Sequence, residues 1–260
     1  GTTQSVKGSG EYGVAAFDDD FRDAIKGAEF GGFKKGQVQG TYNDSDLING
    51  LLGKAGKNKR NQTGNLGLAL HYVECHDNYT LFDKLAISYL GKTKYSGDLF
   101  KAIKDEGLLV VKAQNKLSAA YIFLSQGTVF MNGGQEFLRT KRGNENSYNS
   151  TDVINGIDLS FKETYADVYN TYKGLIALRK ANPSAFGSNE SATAEIYNKT
   201  AGVTKYTTGD FRVYFNATEE AVNIDTAGYS KVVDVTSGTP TESATLPTTV
   251  PASGFVILKK

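Results

Sequence analysis

Tyr72-Val73-Glu74-Cys75-His76-Asp77-Asn78 is an apolar run that ends in an imidazole, a carboxylate and a carboxamide at three successive positions. A carboxylate beside an imidazole can stabilise developing positive charge and exchange hydrogen bonds with hydroxyl groups. Just before it, Leu66, Leu68, Leu70, Tyr72 and Val73 make the short, mostly apolar segment expected of a strand buried on both faces. A turn then delivers polar groups to the strand's end, and in a parallel barrel that end is where catalytic side chains collect. His76-Asp77-Asn78 also has a plainer reading, as the cap of a helix that begins near Thr80.

Two other clusters invite the same question. Asp18, Asp19, Asp20, Arg22 and Asp23 follow an apolar run directly. Clustered carboxylates suit a hard cation, so a structural calcium is conceivable, but acids are equally favoured at a helix N-terminus with Arg22 paired to a neighbour. No alternating ligand spacing of a calcium loop is visible, and the helix reading is preferred for most of these residues. The stretch from Arg139 to Asp158 holds Asn144, Asn146, Tyr148, Asn149, Asp152 and Asn155. These supply polar edges for hydroxyls and a flat face for a pyranose ring, the groups a neutral sugar requires. A solvated surface loop is the default for any Asn- and Ser-rich stretch.

Composition narrows the classes. With 29 basic and 28 acidic residues the formal charge is +1, which gives no broad footprint for nucleic acid or an anionic membrane. A neutral, polar partner is expected instead. No window approaches the roughly 18 consecutive apolar residues of a membrane helix. One cysteine, Cys75, excludes an intrachain disulfide framework and a cysteine-built zinc site, and it is expected to pack at the strand end. Gly1-Thr2-Thr3-Gln4 lacks the basic start and apolar stretch of a signal peptide; a preceding segment could have carried an export signal. Gly8-Ser9-Gly10 reads as flexible ahead of the apolar run Tyr12 to Phe17.

The elements that must position these groups alternate in β/α rhythm up to about residue 186. Val14 to Phe17 reads as a strand leading into a helical pattern over 18–27, and Leu70 to Glu74 as a second strand followed by a helix over Asn78 to Leu90. Apolar residues recur at helical spacing from Asp98 to Ser125, where Gln126-Gly127 supplies a stop. Thr128 to Met131 is the third strand, opening onto the polar turn Asn132-Gly133-Gly134-Gln135-Glu136, and Tyr165 to Lys180 is the last helix, stopped by Asn182-Pro183. From 187 onward, threonines, prolines and short alternating runs such as Phe211 to Phe215 and Gly254 to Leu258 predict a small antiparallel sandwich. The domains are therefore read as 1–186 and 187–260, an α/β part followed by an all-β part. Three βα units cannot close an eight-stranded barrel.

Tyr72-Val73-Glu74-Cys75-His76-Asp77-Asn78 resembles the fourth signature region of the α-amylase superfamily. Phe17-Asp18-Asp19-Asp20-Phe21-Arg22-Asp23-Ala24-Ile25-Lys26-Gly27 is similar to the segment after the sixth barrel strand of type I pullulanases, and Gln126 to Lys141 with Asn146-Ser147-Tyr148-Asn149-Ser150 and Asp152 to their eighth-strand region. The resemblance spans roughly residues 14–186. It implies the last three strand-helix units of a β/α (TIM) barrel, the usual C-terminal β-sandwich, and a debranching hydrolase that cleaves α-1,6-glucosidic bonds in pullulan, amylopectin or related α-glucans with retention.

By that resemblance Asp77 is the transition-state stabiliser, His76 donates to a hydroxyl of the reacting glucose, and Asn78, Asn146, Tyr148, Asn149 and Asp152 bind substrate. The family's nucleophile and acid/base have no counterpart here. Retaining hydrolysis needs two carboxylates about 5–5.5 Å apart, so this chain alone is expected to be inactive. The missing N-terminal part of the barrel is expected in the same or a second chain. No cofactor is required. A related isoamylase or glycogen debranching enzyme, or a noncatalytic α-glucan-binding module, are the competing readings. A polymeric substrate favours an extracellular or cell-surface setting, while glycogen would allow the cytoplasm. Two departures stand out: the chain has no tryptophan, with Leu159 where relatives commonly carry one, and Lys141-Arg142 make the loop more basic than a neutral substrate needs.

Overall fold

In the computed structural model, which describes residues 13–54 and 66–260, the three apolar runs become three parallel strands, β1 (Ala16–Phe17), β2 (Ala69–His71) and β3 (Thr128–Val129), in the order β1-β2-β3. Leu70 pairs with Phe17 on one side and Thr128 on the other. Gly1-Thr2-Thr3-Gln4, Gly8-Ser9-Gly10 and Tyr12 lie outside the described residues. The ladders are shorter than the apolar runs. Asp18 N donates to Leu70 O at 2.9 Å and Phe130 N to His71 O at 2.9 Å, after which each chain leaves the sheet to build a polar end.

Helix α1 (Asp19–Lys26) starts where Asp18 Oδ1 accepts from Phe21 N at 3.2 Å. A helix unforeseen in the sequence, α2 (Asp44–Leu51), buries Leu47 and Leu51 against it. The stretch after β2 forms α3 (Leu81–Tyr89), in which every residue from Leu81 to Ser88 is buried. Next comes α4 (Leu99–Leu124), capped by Asp98 as its pattern requires and interrupted at Lys104, whose φ is 55°. The last helix, α5 (Ala166–Ala181), sends Arg179 to the end of α4. Its guanidinium donates to Phe123 O at 2.9 Å, Ser125 O at 2.7 Å and Gly127 O, satisfying carbonyls that a helix C-terminus otherwise leaves unpaired.

The remaining chain is antiparallel. Strands β4 (Thr193–Ile196), β5 (Val203–Thr208), β6 (Phe211–Asn216), β8 (Lys231–Asp234), β9 (Thr241–Ser243) and β11 (Gly254–Lys259) form one sheet ordered β4-β5-β6-β11-β8-β9, while β7 (Val222–Asn223) pairs with β10 (Thr249–Val250). One face of the large sheet packs on α4, with the Tyr121 and Phe215 rings stacked at 4.5 Å between centroids. Its other face gathers Tyr197, Tyr214, Val250 and Leu258 into a second, smaller core. The main core runs without a break from Phe21 and Ile25 through α4 to Val213, Phe215 and Ile257. Secondary structure changes near residue 187, but the packing does not stop there. No helix among the described residues is long and apolar enough to cross a membrane.

Candidate active site

Glu74 anchors the carboxyl end of the β2 segment. It is buried, and its two oxygens accept from Leu81 N at 2.7 Å and from Asn132 Nδ2 at 2.8 Å, joining the start of α3 to the turn after β3. The next residues, Cys75 to Asp77, project from this anchor. Lys141 Nζ lies 3.5 Å from His76 O, and His76 Nε2 lies 3.2 Å from Asp77 Oδ1. Both side chains face water, His76 at 88% and Asp77 at 69% exposure. Asn78 takes a left-handed φ of 62°, a conformation Asn tolerates better than most residues.

The capping alternative for His76-Asp77-Asn78 is not what forms. Thr80 Oγ1 accepts from Asp83 N at 3.1 Å and Glu74 takes the Leu81 amide, so the α3 cap is complete without Asp77 or Asn78. Asp77 is thereby kept clear of the helix it precedes.

Burial holds the Glu74 carboxyl up at about 7, well above its ordinary value near 4.5. A folded-state value above the unfolded one means that the fold binds this proton more tightly. The associated stability is fully present below about pH 4.5 and is lost as pH rises through about 7, amounting to about 3 kcal/mol. Glu74→Gln should therefore flatten the decline of the urea midpoint between pH 5 and 8, with a pH-independent loss because its amide turns an N–H toward one of the two donors, Leu81 N or Asn132 Nδ2. An unchanged slope across that window would contradict the assignment.

The acidic knot at 18–23 resolves as a helix start. Arg22 Nε pairs with Asp23 Oδ1 at 2.7 Å, its Nη1 reaches Tyr72 OH at 2.5 Å and Asp19 Oδ1 at 3.3 Å, and Tyr72 OH donates to Asp19 Oδ1 at 2.7 Å. Arg22 thus ties α1 to the β2 segment. Among the described residues no group of three or more His, Cys, Asp and Glu side chains gathers as a metal site would.

The loop after β3 is braced from within. Asn155 Nδ2 donates to Ser147 O at 2.7 Å and Ser150 O at 3.1 Å, Asn144 Nδ2 to Ser150 Oγ at 3.1 Å, and Arg139 Nη2 to Asn155 O at 2.8 Å. Of the six polar candidates, Asn144 and Asn155 hold the loop's shape. Asn146, Tyr148, Asn149 and Asp152 face outward, Tyr148 at 83% exposure. Leu159 is 70% exposed. Two cavities flank the loop, one of about 310 Å³ beside Arg139, Asp152 and Phe161, and one of about 710 Å³ beside Tyr79, Tyr95 and Asn144. Sequence reasoning missed Glu74, Asp83 and Arg139; for the two acids the sign was a carboxylate directly after an apolar residue, at Val73-Glu74 and again at Phe82-Asp83, and for Arg139 there was none.

No protein-family model matches the sequence. The chain is 35% identical over 174 residues to the pullulanase of Bacillus subtilis (strain 168), covering 66% of this chain and 22% of that protein. It is 27% identical over 130 residues to the isoamylase of Pseudomonas amyloderamosa, covering 45% of this chain and 17% of the relative. Among solved structures, the pullulanase of Paenibacillus barengoltzii in complex with maltohexaose and α-cyclodextrin superposes with a TM-score of 0.74 at 27% identity, over 95% of this chain and 38% of that one. The chain spans about a fifth of the length of the curated relatives and over a third of this structure.

Proposed function

Because the chain belongs to the pullulanase and isoamylase group of the α-amylase glycoside hydrolase superfamily, we propose that it is the C-terminal part of a type I pullulanase, which hydrolyses α-1,6-glucosidic bonds in pullulan, amylopectin or related α-glucans with retention. In this reading β1, β2 and β3 are the last three strands of a β/α barrel, residues 1–186 complete that barrel and 187–260 form the C-terminal sandwich. The nucleophile and the acid/base come from the barrel's preceding part, in the same or a second chain.

The observation that carries the reading is the outward-facing His76–Asp77 pair at the carboxyl end of the middle parallel strand, on a backbone fixed by Glu74 and Lys141. A carboxylate there stabilises the oxocarbenium-like charge that develops as the glycosidic bond breaks, and it contributes most when water is displaced. His76 donates to a sugar hydroxyl. Asn78, Asn146, Tyr148, Asn149 and Asp152 offer amide, carboxylate and aromatic groups to neighbouring glucose units.

The deciding experiment is reducing-sugar release from pullulan by the full-length protein, with product analysis. Maltotriose as product supports the proposal. The 27% identity to an isoamylase favours a second reading, in which amylopectin or glycogen is debranched and pullulan is left intact. Binding of glucan without cleavage of either would leave a noncatalytic module and refute both.

A further inference from the structure

Asp83, in the first turn of α3, is completely buried, yet its carboxylate serves the loop after β3 rather than its own helix. Oδ2 accepts from Lys141 N at 2.9 Å and Gly143 N at 3.0 Å, and Oδ1 accepts from Thr140 Oγ1 at 2.5 Å. Thr140 Oγ1 in turn accepts from Arg142 N at 2.8 Å. Four consecutive residues, 140–143, are thus gathered around one carboxylate.

The backbone is shaped for this. Arg142 and Gly143 both lie in the left-handed region, with φ of 55° and 76°, and such turns bring successive N–H groups round a concavity that holds an anion. Here the anion is a side chain of the same protein. Gly143 is required at its position, because a Cβ there would lie 2.1 Å from Tyr95 O. Arg142 O also accepts from Gly97 N at 3.1 Å, fixing the turn from its far side.

Lys141 carries the connection onward. Its amide is held by Asp83, and its ammonium, on a side chain only 3% exposed as a residue, reaches His76 O at 3.5 Å. The same turn of α3 presents Leu81 N to Glu74. We infer that Asp83 is a positioning residue: through Lys141 it sets the loop over Asn144–Asp158 relative to the His76–Asp77 segment, and so governs how tightly an α-glucan is held. This rests on the reading of that loop as the glucan-binding surface.

The test uses the full-length protein and three variants. Asp83→Asn keeps the shape but turns an amide N–H toward donors that need an acceptor. It should raise KM for pullulan about tenfold with kcat changed less than about threefold, and speed hydrogen exchange at the Lys141 and Gly143 amides about tenfold or more, with α4 and α5 unaffected. Thr140→Val, which buries no new polar group, should shift KM in the same direction by a smaller factor. Lys141→Met should leave its own amide protected and raise KM in the same direction, since it cuts only the link to His76.

Unchanged KM and unchanged exchange in Asp83→Asn would overturn the inference. So would uniform loss of protection across α4 and α5, which marks a merely structural residue. If the parent does not cut α-glucans at all, the proposed function fails, and the local exchange pattern still decides whether Asp83 fixes the loop.

Discussion

Asp77→Asn in the full-length protein should lower kcat on pullulan by about three orders of magnitude, with KM changed by less than about fivefold. The substitution keeps the side chain's shape and removes its charge. Asp77 is largely exposed, its close partner is the His76 ring, and the cap of α3 is complete without it, so little of the fold depends on it. Exposed substitutions of this kind stay within about 0.5 kcal/mol. A fall in rate with an unchanged melting temperature therefore reports lost transition-state stabilisation. A loss smaller than tenfold in initial-rate measurements would remove Asp77 from the chemistry.

Gln126→Leu should be the most damaging single change to stability. The Gln126 carboxamide is fully buried where the helical part meets the sheet. Its Nε2 faces Ala185 O at 2.8 Å, Tyr206 OH at 2.5 Å and Thr208 Oγ1 at 3.1 Å, and its Oε1 accepts from Gly187 N at 3.1 Å and Asn189 N at 2.6 Å. Leucine fills the volume but leaves Tyr206 OH and the Gly187 and Asn189 amides without the Gln126 partner, while Ala185 O and Thr208 Oγ1 keep each other and Asn189 Nδ2; each orphaned buried group costs about 1–3 kcal/mol. Allowing for relaxation, the expected loss is about 4 kcal/mol, or a melting temperature lower by about 10 °C. Scanning calorimetry checks this. A shift below about 3 °C would mean that the junction readily finds other partners.

What could be read from the sequence was local. The 26-residue helix Leu99–Leu124 announces itself by apolar spacing and a Gln126-Gly127 stop, and its bounds fall within a residue of those expected. His76-Asp77-Asn78 was recognisable because one short segment carries the whole motif. Glu74 and Asp83 were hidden because their roles depend on Asn132 and on residues 140–143, some 58 positions away. Gln126 looked like a helix stop, and nothing in its neighbourhood hints at Thr208, 82 positions on. The stretch holding α2 offered no clear pattern because the buried face of that eight-residue helix includes Asp46 and Gly50, leaving only Leu47 and Leu51 as apolar markers on it. The outward-facing Asn146 and Tyr148 could not be told from the bracing Asn144 and Asn155, since an amide's direction is set by the folded loop and not by its type.

The unbroken core that runs from α1 through α4 into the sheet bears on how such proteins are recombined. A C-terminal sheet held by a flexible linker could be exchanged among relatives as a cassette. Here Tyr121 stacks on Phe215 and the Gln126 carboxamide grips both Ala185 and Thr208, so a cut near residue 187 divides one hydrophobic interior. The inheritable unit is the sheet together with the face of α4 on which it rests, and a chimera that transplants the strands alone inherits a surface with no counterpart.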